Sequence, residues 1–358
     1  MMRFCESFDK YGTEVTRLTD GGLITSVSPA ASLLVGGGIC NSTAFREDTT
    51  GPNGFTVSFP ILADQFSWGH AAYYRENIQS GSVDFSFRGP TSVQSFFRFM
   101  SDGSIQFWQG PNVLLGNLLA QSAASQYNAN TWFQFEWEVT TSDTVGTVAA
   151  WIDGNSIIPF TSALNTKAVP AFANAEDYTS IFVGAVQPHR NDDIVMGDGL
   201  SSGVAGKLNN QRLGPVHVSY VIGEADSVSG GGDLKQFTPS SGTDHGAMIN
   251  QNPPDDDTTF NASASPINID TYKHGGITLN NPEIYGVKVI PVVKKSDAAN
   301  VRTVRPMYRL SGGNTFGNIQ TVPPEQYEQK AEIFEGNGVA EWTLANVNLM
   351  QPGLEDNS

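Results

Sequence analysis

Cysteine is almost absent from this sequence, with only Cys5 and Cys40 in 358 residues. A disulfide-dense scaffold is therefore excluded, and a single optional bridge is the most that could form. Charge is scarce as well, since Asp, Glu, Lys and Arg together make up 16%. No run approaches the roughly 18 consecutive apolar residues of a membrane-spanning helix. The opening Met1-Met2-Arg3-Phe4-Cys5-Glu6 lacks the apolar stretch of an export signal, so the expectation is a chain that folds in the cytoplasm where it is made. Basic residues are outnumbered, 20 against 36 acidic ones, for a net charge of −16. Such a field repels phosphate backbones and anionic bilayers, which argues against nucleic acid and membrane surfaces as partners.

What is plentiful is turn-forming residues and rings: Gly 37, Pro 19 and 10% aromatics, within a hydrophobic share of 39%. Few charges with many turn formers is the composition of short strands joined by tight turns. The clearest segment is Trp132-Phe133-Gln134-Phe135-Glu136-Trp137-Glu138-Val139, in which Phe133, Phe135, Trp137 and Val139 point one way and Gln134, Glu136 and Glu138 the other. Strict alternation predicts a strand buried on one face and wet on the other. Asp102-Gly103 and Asp153-Gly154, each between alternating apolar runs, predict hairpins. Further strands are expected at 54–60, 83–88, 179–186, 213–222, 277–279, 284–293 and 301–310, and one helix at 112–125, where Leu114, Leu115, Leu118 and Leu119 fall at helical spacing. Short strands at this density predict an all-β chain: a jelly-roll sandwich over 1–223, a flexible Gly/Ser linker over 224–233 marked by Ser229-Gly230-Gly231-Gly232, and a smaller β-sandwich domain over 234–358.

Two resemblances follow from particular residues. The run Asn130-Thr131-Trp132 through Val139, then a turn, then 146–152 ending in Asp153-Gly154, resembles the laminin-G/concanavalin-A-like jelly roll. More widely, Glu6-Ser7-Phe8-Asp9-Lys10-Tyr11-Gly12, the stretch Asn191–Gly199, Ile284-Tyr285-Gly286-Val287-Lys288-Val289, Val304-Arg305-Pro306 and Trp342–Asn348 with Gly353-Leu354-Glu355 are similar, in that order, to minor virion proteins of tailed phages. That resemblance implies a non-enzymatic structural component of the virion, tail- or baseplate-associated or decorating the capsid. Other virion proteins would be its partners, and a homo-oligomer such as a trimer its expected state. The alternative is a lectin-like module recognising host surface glycan; a glycan hydrolase is the remaining class.

Glu136 and Glu138 would stand about 6.5–7 Å apart on one strand face, whereas a retaining glycosidase brings its two carboxyls to about 5–5.5 Å. Position 141, where a laminarinase-like E-x-D-x-x-E pattern needs a third acid, is Thr. The expectation is two solvated carboxylates and no catalytic residue. Asp192-Asp193 and Asp255-Asp256-Asp257 are oxygen donors of the kind calcium takes. A structural calcium near 192–198 is the one cofactor considered, with a local hydrogen bond preferred for Asp193. The five histidines lack zinc-ligand spacing. Aromatics that could stack on a sugar or meet a partner are Trp68, Tyr73, Tyr74 and Trp108.

Overall fold

The computed structural model describes residues 2–8, 24–27, 31–34, 44–47, 53–58, 66–75, 82–111, 115–168, 176, 178–185, 189–198, 218–252, 254–280, 282–296, 300–324, 326–336 and 341–358. The chain divides into two compact units, Met1–Val218 and Ser219–Ser358.

In the first unit the strands are, in chain order, β1 (Met2–Glu6), β2 (Ile24–Val27), β3 (Ala31–Leu34), β4 (Ala44–Glu47), β5 (Asn53–Ser58), β6 (Phe66–Arg75), β7 (Ser82–Arg88), β8 (Val93–Phe99), β9 (Ile105–Gln109), β10 (Asn117–Gln121), β11 (Trp132–Thr140), β12 (Gly146–Ile152), β13 (Asn155–Leu164), β14 (Ser180–Ala185) and β15 (His189–Asp198). They form two antiparallel sheets. Sheet A runs β13-β12-β11-β6-β15-β4-β3 with β1 added on β15, and sheet B runs β10-β9-β8-β7-β14-β5-β2. Strands far apart in sequence lie side by side, β6 with β15 and β5 with β14. This is the jelly-roll sandwich that the alternation and turns imply.

The core is where the inward faces of the two sheets meet. Phe133, Phe135, Trp137 and Val139 of β11 face Phe85, Phe87, Phe97 and Phe99 of β7 and β8, all buried. Phe97 meets Phe135 edge-on at 5.2 Å, and Phe85 lies 5.0 Å from Trp137, the offset and edge contacts that ring quadrupoles favour. Gly69 on β6 is opposite Trp137 in register, and a Cβ there would come within 2.1 Å of the indole. The missing side chain is the space the ring occupies. Turn chemistry sets the hairpins: Asp153 and Gly154 both take positive φ, 45° and 77°, the requirement of a type I′ turn. In the β8–β9 turn, Asp102 accepts from Ser104 N at 2.9 Å and Ser104 Oγ at 2.7 Å.

The expected helix at 112–125 is instead strand β10; 112–114 lie outside the described residues. β9 offers an open ladder edge, and pairing from Asn117↔Gln109 to Gln121↔Gln106 satisfies β10's backbone better than an isolated turn of helix interrupted by Gly116 could. Of the strand expected at 213–222, residues 213–217 lie outside the described residues and 218–222 form no strand; 277–279 form none either. Cys40 also lies outside the described residues.

The second unit contains β16 (Thr238–Pro239), β17 (Asn261–Ala262), β18 (Ile269–Thr271), β19 (Val287–Val289), β20 (Val292–Val293), β21 (Arg302–Leu310), β22 (Gly313–Phe316), β23 (Gln320–Val322), β24 (Glu328–Gln329), β25 (Glu332–Phe334) and β26 (Gln351–Asp356), with short helices α1 (Asp226–Ser229) and α2 (Leu344–Leu349). Its main sheet is β18-β26-β21-β22 with β23 on β21, accompanied by the ribbons β16-β17, β19-β25 and β20-β24. One small core gathers Val289, Tyr308, Phe334, Trp342, Val347 and Met350, and another Phe237, Val304, Val322 and Leu354. Thr343 caps α2 by accepting from Asn346 N at 3.2 Å.

Residues 224–233, read as a flexible linker, are folded into this unit. Glu224 N bonds Lys273 O at 2.8 Å, residues 226–229 are helical, and Gly231 and Gly232 are buried. Two carboxylates cap each other's backbone: Asp244 accepts from Asp226 N (2.7 Å) and Ser227 N (3.1 Å), while Asp226 accepts from His245 N and Gly246 N (3.1 Å each). Lys235 pairs with Asp226 at 2.8 Å. The glycines supply positive φ, 80° at Gly230 and 73° at Gly231, and close approach to Thr271 at Gly232. Their work is tight turning rather than flexibility.

Candidate functional site

β11 alternates, so Gln134, Glu136 and Glu138 leave sheet A on the side away from the core. Register places His70 and Trp151 on either side of Glu136, and Trp68 and Ala149 on either side of Glu138. Val195 and Asp192 of β15 continue the rows from His70 and Ala72. This face is not wet. Glu136 is 3% exposed, Glu138 5%, His70 0%, Trp68 1% and Asp192 0%. The expectation of two solvated carboxylates is thus corrected. A central strand covered on both faces hides its outward acids as well as its inward rings. His70 donates from Nδ1 to Asp193 O at 3.2 Å, which places its proton on that nitrogen. At these exposures a sugar ring cannot lie against the pair.

Asp193 sits at a bulge in β15 with φ 46°. Its backbone N–H donates to Asp192 Oδ1 at 2.8 Å, and its own carboxylate accepts from Val218 N at 2.9 Å. A hydrogen bond is expected for this carboxylate, but its donor lies 25 residues on rather than in the local turn. Among the described residues no three side chains of metal-ligating type converge. Asp255 and Asp257 are engaged within the protein, one locally and one across the second unit. Asp255 accepts from Thr259 N and Oγ1 at 3.2 and 2.7 Å; Asp257 takes Tyr327 OH at 2.9 Å and pairs with Lys294.

The four aromatics singled out from sequence do not converge. Tyr73 is a core residue, 0% exposed and 5.6 Å from both Phe133 and His189. Trp68 lies on the other side of the same strand, beside Glu138, and is equally closed. Neither can touch a ligand, which corrects their candidacy. Aromatics on successive positions of β6 fit a strand buried on both faces. Tyr74 is half-buried on the outer side of sheet A, with Trp132 at 5.5 Å and the Arg190 guanidinium 4.7 Å over its ring. Trp108 is half-buried on the outer side of sheet B, its ring parallel to that of Phe96 at 6.4 Å.

Around Trp108 the structure assembles groups that were not singled out. Its indole N–H donates to Gln106 Oε1 at 2.9 Å, and Gln106 Nε2 donates to Gln121 Oε1 at 3.1 Å. Arg98 lies opposite Gln106 in register, Phe96 opposite Trp108, and Leu118 beside Trp108 on β10. The signal for Gln106 was present: Ile105-Gln106-Phe107-Trp108 alternates, so Gln106 and Trp108 share a face. Arg98 and Gln121 join it only through pairing.

A third polar centre is in the second unit. Asp270, 0% exposed, accepts from Phe237 N at 2.9 Å and Tyr272 OH at 3.0 Å and meets His245 Nδ1 at 2.7 Å. Burial first, then the Asp270 charge, pushes the Tyr272 hydroxyl well above its ordinary pKa. Asn261 ties the group together through Tyr272 OH (3.0 Å) and His245 O (2.9 Å). These bonds hold 237–245 to β18.

No family model and no curated protein matches the chain. Among solved structures it is similar to the cellulose-induced protein Cip1, at 12% identity over 55% of this chain and 98% of that one, TM-score 0.36. It is also similar to the catalytic domain of a glycoside hydrolase family 131 protein from Coprinopsis cinerea, at 12% identity over 58% and 95%, TM-score 0.35. Botulinum neurotoxin type C, whose cell entry depends upon interaction with two ganglioside molecules, gives 10% identity over 100% and 98%, TM-score 0.37. Likeness at this level says nothing of what this chain binds or does.

Proposed function

We propose that the chain is a structural component of a tailed-phage virion, acting without catalysis through contacts with other virion proteins and with copies of itself. The observation that carries this reading is where the phage-like segments lie. Phe8 belongs to the aromatic core of the first unit, and 191–198 belong to β15, which joins β6 to β4 and β1. Val287–Val289 form β19, Val304 and Pro306 lie in β21, Trp342–Asn348 reach through α2, and Gly353–Glu355 lie in β26. The described parts of these segments build the frames of both units. The carboxylate face of sheet A, where a sugar-processing sandwich would do its chemistry, is closed. Rigid sandwiches with edge strands suit assembly. Electron microscopy of intact particles tests this: many ordered copies, in a closed oligomer such as a trimer, are expected. A monomer absent from particles and without affinity for particle proteins overturns it.

A second reading, a lectin-like module for host surface glycan, is favoured by the half-buried Trp108 and the amides that orient it.

A further inference from the structure

We infer that the outer side of sheet B around Trp108 is a binding site for a sugar residue bearing a carboxylate, with the ring stacked on the indole and the carboxylate on Arg98. This rests on the second reading above and gives it a ligand class.

Register draws one row across the sheet, Phe182-Ser86-Phe96-Trp108-Leu118. Exposure falls from 8% to 1% and 0% over the first three, then rises: Trp108 is half-buried and Leu118 44% exposed. The row is shut at its centre and opens toward β10, so Trp108 is the ring at the open margin. Its N–H is already used by Gln106, which fixes the indole plane without a ligand. A pre-set ring with an apolar body suits the C–H face of a sugar.

The next row, Arg98-Gln106-Gln121, supplies the polar half. Both Gln106 groups are engaged, and Gln121 accepts from Gln106, which leaves the exposed Gln121 its amide N–H groups. Arg98 is half-buried; its Nε is closed to solvent and has no acceptor among the described residues, so a ligand would meet the rest of the partly exposed side chain. What the margin offers is therefore donors and one guanidinium. The described outward side chains of these rows on β8, β9 and β10 carry no carboxylate, and Asp102 in the adjoining turn is held by Ser104. In a chain of net charge −16 this is a local reversal of sign. A guanidinium with amide donors matches a single carboxylate, whereas a long polyanion would meet the repulsion of the whole chain.

The test uses the full chain and two probes: a glucuronate-containing hyaluronan oligosaccharide and the same oligosaccharide with its carboxyls reduced. Titration calorimetry is expected to show the carboxylated probe bound more tightly. Arg98→Gln should erase that preference while retaining the neutral probe, and Trp108→Ala should weaken both by roughly five- to tenfold. Thermal melts of the variants check that the fold is kept. Equal affinity of the wild type for both probes, or no binding, overturns the inference. Binding that neither substitution alters also overturns this site, while leaving the glycan reading alive elsewhere on the chain. Incorporation of the Trp108→Ala chain into particles is read separately and reports only on the virion role.

Discussion

At the centre of the first unit is Phe135, packed against Phe85, Phe97, Phe99 and Trp137 at 5.1–5.7 Å. At the centre of the second is Asp270, buried and holding Phe237 N, Tyr272 OH and His245. The first unit coheres through one continuous apolar core and gains by area removed from water. The second has only small separate clusters. It coheres largely by side chains that bond backbone, Asp226, Asp244 and Gln351 among them. A small domain with little apolar area to bury needs such bonds to order its loops. They are directional, so each loss leaves specific groups unpaired.

Several substitutions probe that contrast. Phe135→Ala should cost about 3–5 kcal/mol through lost burial and the cavity left behind, read by calorimetry as a fall in the first unit's transition alone. Equal falls in both units would show that they do not melt separately. Asp270→Ala should cost about 3 kcal/mol by stranding buried donors, and should loosen hydrogen-exchange protection at Phe237 and 244–246 while sparing β11. If protection there is unchanged, the polar account of the second unit is wrong. Gly69→Ala should cost about 1–3 kcal/mol because its methyl must displace the Trp137 ring, with a change in tryptophan fluorescence as the local readout.

The smallest effect concerns pH. Burial raises the Asp244 carboxyl, but N–H groups of Asp226, Ala247 and Ser227 outweigh it and hold the pKa below its ordinary value. A carboxyl depressed in the folded state contributes stability above its unfolded pKa and loses it as pH falls through the folded one. The second unit should therefore weaken below about pH 4. Asp244→Asn should melt slightly lower at neutral pH and show a shallower fall on acidification. Parallel melting curves across pH for variant and wild type would remove Asp244 from the account.

Much of the fold was legible because period-two alternation and Asp-Gly turns are local. β11 and the hairpins at Asp102-Gly103 and Asp153-Gly154 lie where the residues put them. The helix expected at 112–125 failed because the four leucines fit more than one period, and the free edge of β9 decided between them. The linker failed because the glycines were read without Asp226, Asp244 and Lys235, which bind that stretch down. Of the candidate aromatics, Trp108 and Tyr74 keep some exposure while Trp68 and Tyr73 have almost none.

By itself the sequence determined the β class, the side of the sheet to which each residue of β11 points, the scarcity of disulfides and the acidic field. These depend on the residue and its immediate neighbours. Only the tertiary structure decided that Glu136 and Glu138 are buried, that Trp68 and Tyr73 belong to opposite sides of one closed strand, and that Arg98, Gln106, Gln121 and Trp108 share a surface. Alternation assigns a side chain to a face, but whether that face is covered, and what stands beside it, depends on pairing between strands far apart in the chain.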